Sequence, residues 1–178
     1  MASDHYFSAT PASPENLRRI RVPIAGRDVM LSTAGGTFSP ERLDAGTSVL
    51  LANTPPPPPG GHFLDLGCGW GPIALTMATL SPHATVWAVD VNERALGLVR
   101  KNAEELGLDN VRAVTADQVP DDIVFRTIWS NPPIRIGKAA LHELLLAWLP
   151  RLNPDGQAFL VVGKNLGSDS LQRWLTEQ

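Results

Sequence analysis

The chain has a single cysteine, Cys68, in 178 residues. That excludes an internal disulfide and any site built from several thiolates. No apolar run approaches the ~18 residues that a membrane span requires. The N-terminus, MASDHYFSATPASPEN, lacks the basic-then-apolar order of a secretory signal, so a cytoplasmic location is expected. There is no excess of positive charge either. Fifteen Lys and Arg against 18 Asp and Glu leave a net charge of −3, so any nucleic-acid contact has to be local. The four histidines are scattered, and no metal site is expected. What remains is an ordinary globular composition, 43% hydrophobic and 19% charged, of a size for one domain with a real core.

Proline, by contrast, is plentiful at 16 residues, and five of them form the run Pro55–Pro59. With Gly60 and Gly61 this reads as an extended spacer, or simply as a variable loop. It divides the chain into an N-terminal extension (1–54), a spacer (55–61) and a core (62–178). In the extension, Arg18–Ile24 and Val29–Thr33 read as strands of a hairpin around Ala25-Gly26-Arg27-Asp28. Asp44–Asn53 reads as a short helix. In the core, apolar runs at Phe63–Leu66, Thr85–Val89, Val111–Thr115, Phe125–Trp129 and Ala158–Val162 alternate with helical stretches. This pattern predicts an α/β fold, a mostly parallel twisted sheet with helices on both faces. Ligands of such sheets bind at the carboxyl ends of the strands.

Those ends carry the motifs. The first strand runs into Asp65-Leu66-Gly67-Cys68-Gly69-Trp70-Gly71, followed by a helix whose first turn accepts Pro72. Glycines let the backbone approach a ligand, and the helix start supplies free N–H groups. A dinucleotide fingerprint, G-x-G-x-x-G/A, would need glycine or alanine where Pro72 stands. The spacing D-x-G-x-G-x-G fits S-adenosylmethionine (SAM) better, with Asp65 in reach of its ammonium. Asp90, at the end of the second strand, can accept from ribose hydroxyls or cap the next helix. Asp117, after the third, can accept from the adenine amine or be a loop aspartate. Asn131-Pro132-Pro133-Ile134 ends the fourth strand. Two prolines fix the backbone there. The Asn131 amide oxygen and the Pro132 carbonyl can then accept both hydrogens of one amino group. That would favour a pyramidal nitrogen with its lone pair aimed at a methyl donor, an effect of position and electrostatics.

FLDLGCGWG at 63–71, Asp90, Asp117 and SNPPI at 130–134 resemble the class I SAM-dependent methyltransferases with an NPP-type motif. Within them the chain resembles the "methyltransferase small" family, best known for small-subunit ribosomal RNA guanine-N2 methyltransferases. His5-Tyr6-Phe7-Ser8, the run Thr37–Thr47 (TFSPERLDAGT) and Leu166–Leu171 (LGSDSL) extend the resemblance over nearly the whole chain. It implies that Asp65, Gly67, Cys68, Gly69, Gly71, Asp90, Val91, Asp117 and Asn131 serve the cofactor, SAM. It further implies that Asn131, Pro132 and Pro133 hold the target amine. Phe38 and Thr47 are placed near the cofactor.

Two departures stand out. Where many NPP enzymes carry an aromatic residue that stacks on the target base, this chain has Ile134, leaving either a weaker apolar contact or a face supplied by Phe38. The family's sheet has seven strands ending in an antiparallel pair, whereas only five strands are legible after the spacer. The fifth strand's edge would then be covered by another segment or a partner subunit, or the chain is a shortened form. Arg18, Arg19, Arg21 and Arg27, with Arg135 and Lys138 near the NPP motif, are candidate phosphate contacts or a solvated face. The expected partner is ribosomal RNA or the small ribosomal subunit. Methylation of a protein glutamine or a small amine, a non-catalytic RNA-binding module and a dehydrogenase are the competing readings, the last disfavoured by Pro72 and the NPP motif.

Overall fold

Strands β1 (Leu17–Ile24) and β2 (Arg27–Ala34) pair antiparallel, from Leu17 opposite Ala34 to Ile24 opposite Arg27. Their two-residue turn, Ala25-Gly26, takes φ of 48° and 78°, the left-handed pair whose twist matches a hairpin. The computed structural model describes residues 9–11, 14–164 and 167–177. His5–Ser8 and Leu166 of the resemblance lie outside them. Helix α1 (Ala45–Asn53) follows, its N-terminus capped by the Asp44 side chain, which accepts from Thr47 N–H at 3.1 Å. Residues 54–59 form neither helix nor strand, as proline demands, but the next strand already begins at Gly60, inside the stretch read as spacer.

The core comprises β3 (Gly60–Leu66), α2 (Pro72–Leu80), β4 (His83–Val89), α3 (Glu93–Glu105), β5 (Val111–Val114), β6 (Phe125–Ser130), α4 (Lys138–Trp148), β7 (Leu152–Leu160) and α5 (Ser168–Thr176). The five strands form one parallel sheet in the order β5-β4-β3-β6-β7. Alternation along the strands sends Phe63, Val86 and Ala88 to one face, against Ile73, Met77, Leu96 and Val99 of α2 and α3. Leu64, Leu66 and Ile128 go to the other, against Trp148 of α4. Because β4 and β6 flank β3 on opposite sides, the order of connection reverses between β3 and β6. A ligand crevice is expected at such a switch point, and the glycine loop and the NPP motif both open there.

The hairpin is joined to this core. Val22, Ile24 and Leu31 pack with Trp70, Leu75 and Leu98. Fully buried Asn102 of α3 mimics a strand neighbour: its Oδ1 accepts from Ser32 N–H (2.7 Å) and its Nδ2 donates to the Ser32 and Trp70 carbonyls.

The last strand departs from expectation. It starts at Leu152, through Asn153-Pro154-Asp155-Gly156, a stretch with the composition of a turn. The strand keeps its pairing by a register shift opposite Phe125–Thr127. A Cβ on Gly156 would meet the Asn153 carbonyl oxygen at 2.9 Å and that of Phe125 at 3.0 Å, so the bulge needs glycine. β7 is an edge of the sheet, and α5 packs Leu171 against Leu141 and Leu145 of α4. Among the described residues, no helix is long and apolar enough to cross a membrane, and no three His, Cys, Asp or Glu side chains are grouped to hold a metal ion.

Candidate active site

The glycine loop is shaped by its own backbone. Gly67 N–H and Cys68 N–H both donate to the Val89 carbonyl, at 2.8 and 3.0 Å, folding the end of β3 onto the end of β4. Gly71 takes φ 101° and opens α2. A Cβ there would lie 3.0 Å from a methyl of Val99, so the glycine also lets α3 come close.

Asp90 pins this loop: one carboxylate oxygen accepts from Gly69 N–H and the other from Asn92 N–H, both at 2.9 Å. The helix cap that Asp90 might have been is made by Asn92 instead, whose Oδ1 accepts from Arg94 and Ala95 N–H. Asp90 is thus left with oxygen lone pairs at the mouth of the crevice. Burial raises its pKa, against the lowering pull of the backbone donors.

The crevice has a volume of about 130 Å³ and opens to solvent. Phe38, Gly67, Gly69, Asp90, Val91 and Asn131–Pro133 line it, with Ala116, Leu144 and Trp148. Asp90 is the one ionisable side chain among these, so the lining holds no cation for a phosphate. A cationic nucleoside without phosphates, such as SAM, fits that donor set.

Other anticipated residues stand elsewhere. Asp65 is 0% exposed and does not line the crevice. Its Oδ2 accepts from Ala74 N–H at 2.9 Å, satisfying a free donor in the first turn of α2, and its Oδ1 has no partner. Burial pushes its pKa up to about 8. Cys68 faces an adjoining recess with Asp44, Thr47 and Trp70. Burial, with Asp90 and Asp65 nearby, raises its thiol well above the ordinary range, so it is held protonated and is no nucleophile. Asp117 is exposed on a short 3₁₀ turn, and its neighbour Ala116 lines the crevice in its place. Ile134 packs away from the crevice, with Leu141 and Leu171 of a separate cavity, and Arg135 is exposed. Phe38 lines the crevice, its backbone held by Trp70, whose Nε1 donates to the Phe38 and Ser39 carbonyls at 3.1 and 3.2 Å.

At the end of β6, Ser130 Oγ donates to the Leu66 carbonyl at 2.6 Å, tying the NPP motif to the strand before the glycine loop. The motif's carbonyls are not all free: Pro132 O accepts from Ile134 N–H (2.8 Å) and Pro133 O from Ile136 N–H (3.1 Å). A carbonyl has two lone pairs, so Pro132 O retains one. Asn131 Nδ2 donates to Asp44 Oδ2 at 2.8 Å and to Thr47 Oγ1 at 3.1 Å. Asp44, Leu144 and Trp148 are absent from the residues singled out by the sequence. Asp44 stood in the TFSPERLDAGT run but read only as a helix start, and the tryptophan as core.

Comparison with known proteins agrees with this geometry. The family model "Methyltransferase small domain" matches residues 28–177. The uncharacterized protein YbxB of Bacillus subtilis is 33% identical over 98% of this chain and 89% of its own length. Ribosomal RNA small subunit methyltransferase C of Shewanella amazonensis is 29% identical over 88% of this chain and 46% of its own. The Thermus thermophilus 16S rRNA N2 methyltransferase RsmC, solved with AdoMet and guanosine, superposes with a TM-score of 0.78 at 26% identity, over 92% of this chain and 47% of that one. The chain thus spans about half the length of these two RNA methyltransferases. With a glycine cradle, a carboxylate at the second strand end and an NPP motif on the five-stranded sheet, it belongs to the methyltransferase small domain family of class I SAM-dependent methyltransferases.

Proposed function

We propose that the protein methylates an exocyclic amino group, guanine N2 of small-subunit ribosomal RNA being the acceptor. The observation that carries the reading is the Asn131 amide beside the glycine cradle, with its oxygen left to accept from a target N–H. Gly67, Gly69, Asp90 and Val91 would hold SAM, with Ala116, Leu144 and Trp148 forming an apolar wall. SAM supplies an activated methyl group when bound. Asn131 Oδ1 and the remaining lone pair of Pro132 O orient the amino group, and Phe38 offers a ring for a base turned out of its stack.

Guanine rather than another amine is supported by two of the relatives: the Shewanella protein is a ribosomal RNA small subunit methyltransferase, and the Thermus 16S rRNA N2 methyltransferase was solved with guanosine. RNA contact falls to exposed Arg21, Arg27 and Arg135, because Arg18 and Arg19 are engaged by Glu41 and Glu105. The test is transfer from labelled SAM to small ribosomal subunits and free ribosomal RNA, resolved as nucleosides. Label in N2-methylguanosine is expected. SAM binding without RNA label would move the acceptor to a protein amide or small amine.

A further inference from the structure

We propose that Asp44, helped by Thr47, is the positioning residue of the acceptor site, fixing the Asn131 amide so that only its oxygen faces the crevice. This rests on the reading of Asn131 above. A primary amide has two N–H donors and one oxygen acceptor. Both donors of Asn131 are used, one on Asp44 Oδ2 at 2.8 Å and one on Thr47 Oγ1 at 3.1 Å. A carboxylate can only accept, so chemistry alone settles which end of the amide faces Asp44. Turning the amide over would set its oxygen against the carboxylate and discard that bond, because the carboxylate can only accept whereas the Thr47 hydroxyl can pair with either end. Among the described residues no donor reaches Asn131 Oδ1, which is left for the ligand.

The clasp is built, not incidental. It joins residues 87 positions apart. Asp44 Oδ2 also accepts from Thr47 N–H, so one oxygen caps α1 and holds the asparagine. Gly46 lies between them: a Cβ there would meet Asp44 Oδ2 at 3.0 Å and Asn131 Nδ2 at 3.4 Å. The consequence is a rule for the acceptor. The site accepts hydrogen and offers none from Asn131, so it takes an amino or amide N–H and rejects a ring nitrogen or carbonyl that needs a donor. For guanine this selects the N2 edge over N7 and O6.

Three substitutions separate this role from helix capping. Asp44→Ser keeps a good cap for α1 but withdraws the oxygen from Asn131. Asn131→Asp places two carboxylates together. Asp44→Asn in the Asn131→Asp background restores a donor–acceptor pair with its direction reversed. For Asp44→Ser we expect SAM affinity and melting temperature close to wild type and a kcat lowered about 10- to 100-fold. Asn131→Asp should be inactive, and adding Asp44→Asn should recover at least about tenfold. A kcat for Asp44→Ser within twofold of wild type, or a double variant no better than Asn131→Asp, would overturn the proposal.

A second readout does not need turnover. In protein labelled with 15N-asparagine, the Asn131 side-chain NH₂ protons, identified by their loss in Asn131→Asp, should exchange slowly in wild type and rapidly in Asp44→Ser. Equal exchange in both would refute the clasp. If the amide signals behave as expected while wild type methylates no guanine, the clasp stands and the proposed acceptor falls.

Discussion

On the side of the crevice proposed to hold the cofactor, Gly69 and Asp90 are 21 residues apart and joined at 2.9 Å, within one β-α-β unit. On the acceptor side, Asn131 is held by Asp44 from 87 residues away, across the hairpin side of the proline run. The first half is local: the loop folds onto Val89 through its own N–H groups, and Asp90 reinforces it. The second exists only when the start of α1 is brought to the end of β6. A nucleoside cradle can therefore be a property of the sheet alone, while the geometry proposed to choose the acceptor depends on the whole chain being folded. The substitutions that follow would break or sharpen this division.

Asn131→Ala should have the largest effect. Removing the amide proposed to orient the target nitrogen should lower kcat by about 10²–10³, with SAM affinity changed less than about twofold, because the hydrogen bonds that hold the glycine loop and Asp90 do not involve it. Titration calorimetry with SAM beside steady-state transfer would show the split. A parallel loss of both would mean that the halves are one unit. Asp90→Ala should do the converse with a smaller effect. Hydrogen bonds to a charged group contribute roughly 1.5–3 kcal/mol, so SAM should bind about 10- to 100-fold more weakly. At saturating SAM, kcat should stay within a few-fold of wild type. A kcat that falls as far as the affinity would make Asp90 part of the acceptor machinery.

The same division governs what the sequence disclosed. Glycines at fixed spacing after an apolar run, and aspartates and Asn-Pro-Pro closing later runs, mark the strand ends, because punctuation and burial are local properties. Hence the parallel sheet, the loop at Gly67–Gly71 and the place of Asp90 were all legible. The Asp44–Asn131 contact was not, because a pairing between distant residues leaves no periodic trace, and the local meaning of Asp44, a helix cap, is also true. β7 was misjudged at its start for a related reason: Asn153-Pro154-Asp155-Gly156 has turn chemistry, but the sheet imposes a bulged strand on it. Trp148 looked like core and is 5% exposed, yet its ring also walls the crevice. Asp117 lies exposed on the 3₁₀ turn after β5, and it is its neighbour Ala116 that lines the cleft, a placement of one residue that sequence spacing does not resolve.

The smallest effect on methyl transfer should come from Asp65, which sits beneath the glycine loop without lining the crevice and acts on stability instead. Burial raises its pKa to about 8, from an unfolded value near ~3.9. Between those values the folded chain retains a proton that the unfolded chain releases, so stability falls as pH rises across that window. Asp65→Asn keeps an oxygen for Ala74 N–H, now accepting at 2.9 Å, and removes the titration. Its melting temperature relative to wild type should therefore climb by about 10 °C or more from about pH 4.5 to pH 8. Below about pH 4 the dependence should be gone, since Asp65 is then protonated in both states. Parallel melting curves across the window would show that the carboxyl titrates normally. Its unpartnered oxygen would then have to be reached by water or a cation, and the cofactor half would be less self-contained than its backbone bonds indicate.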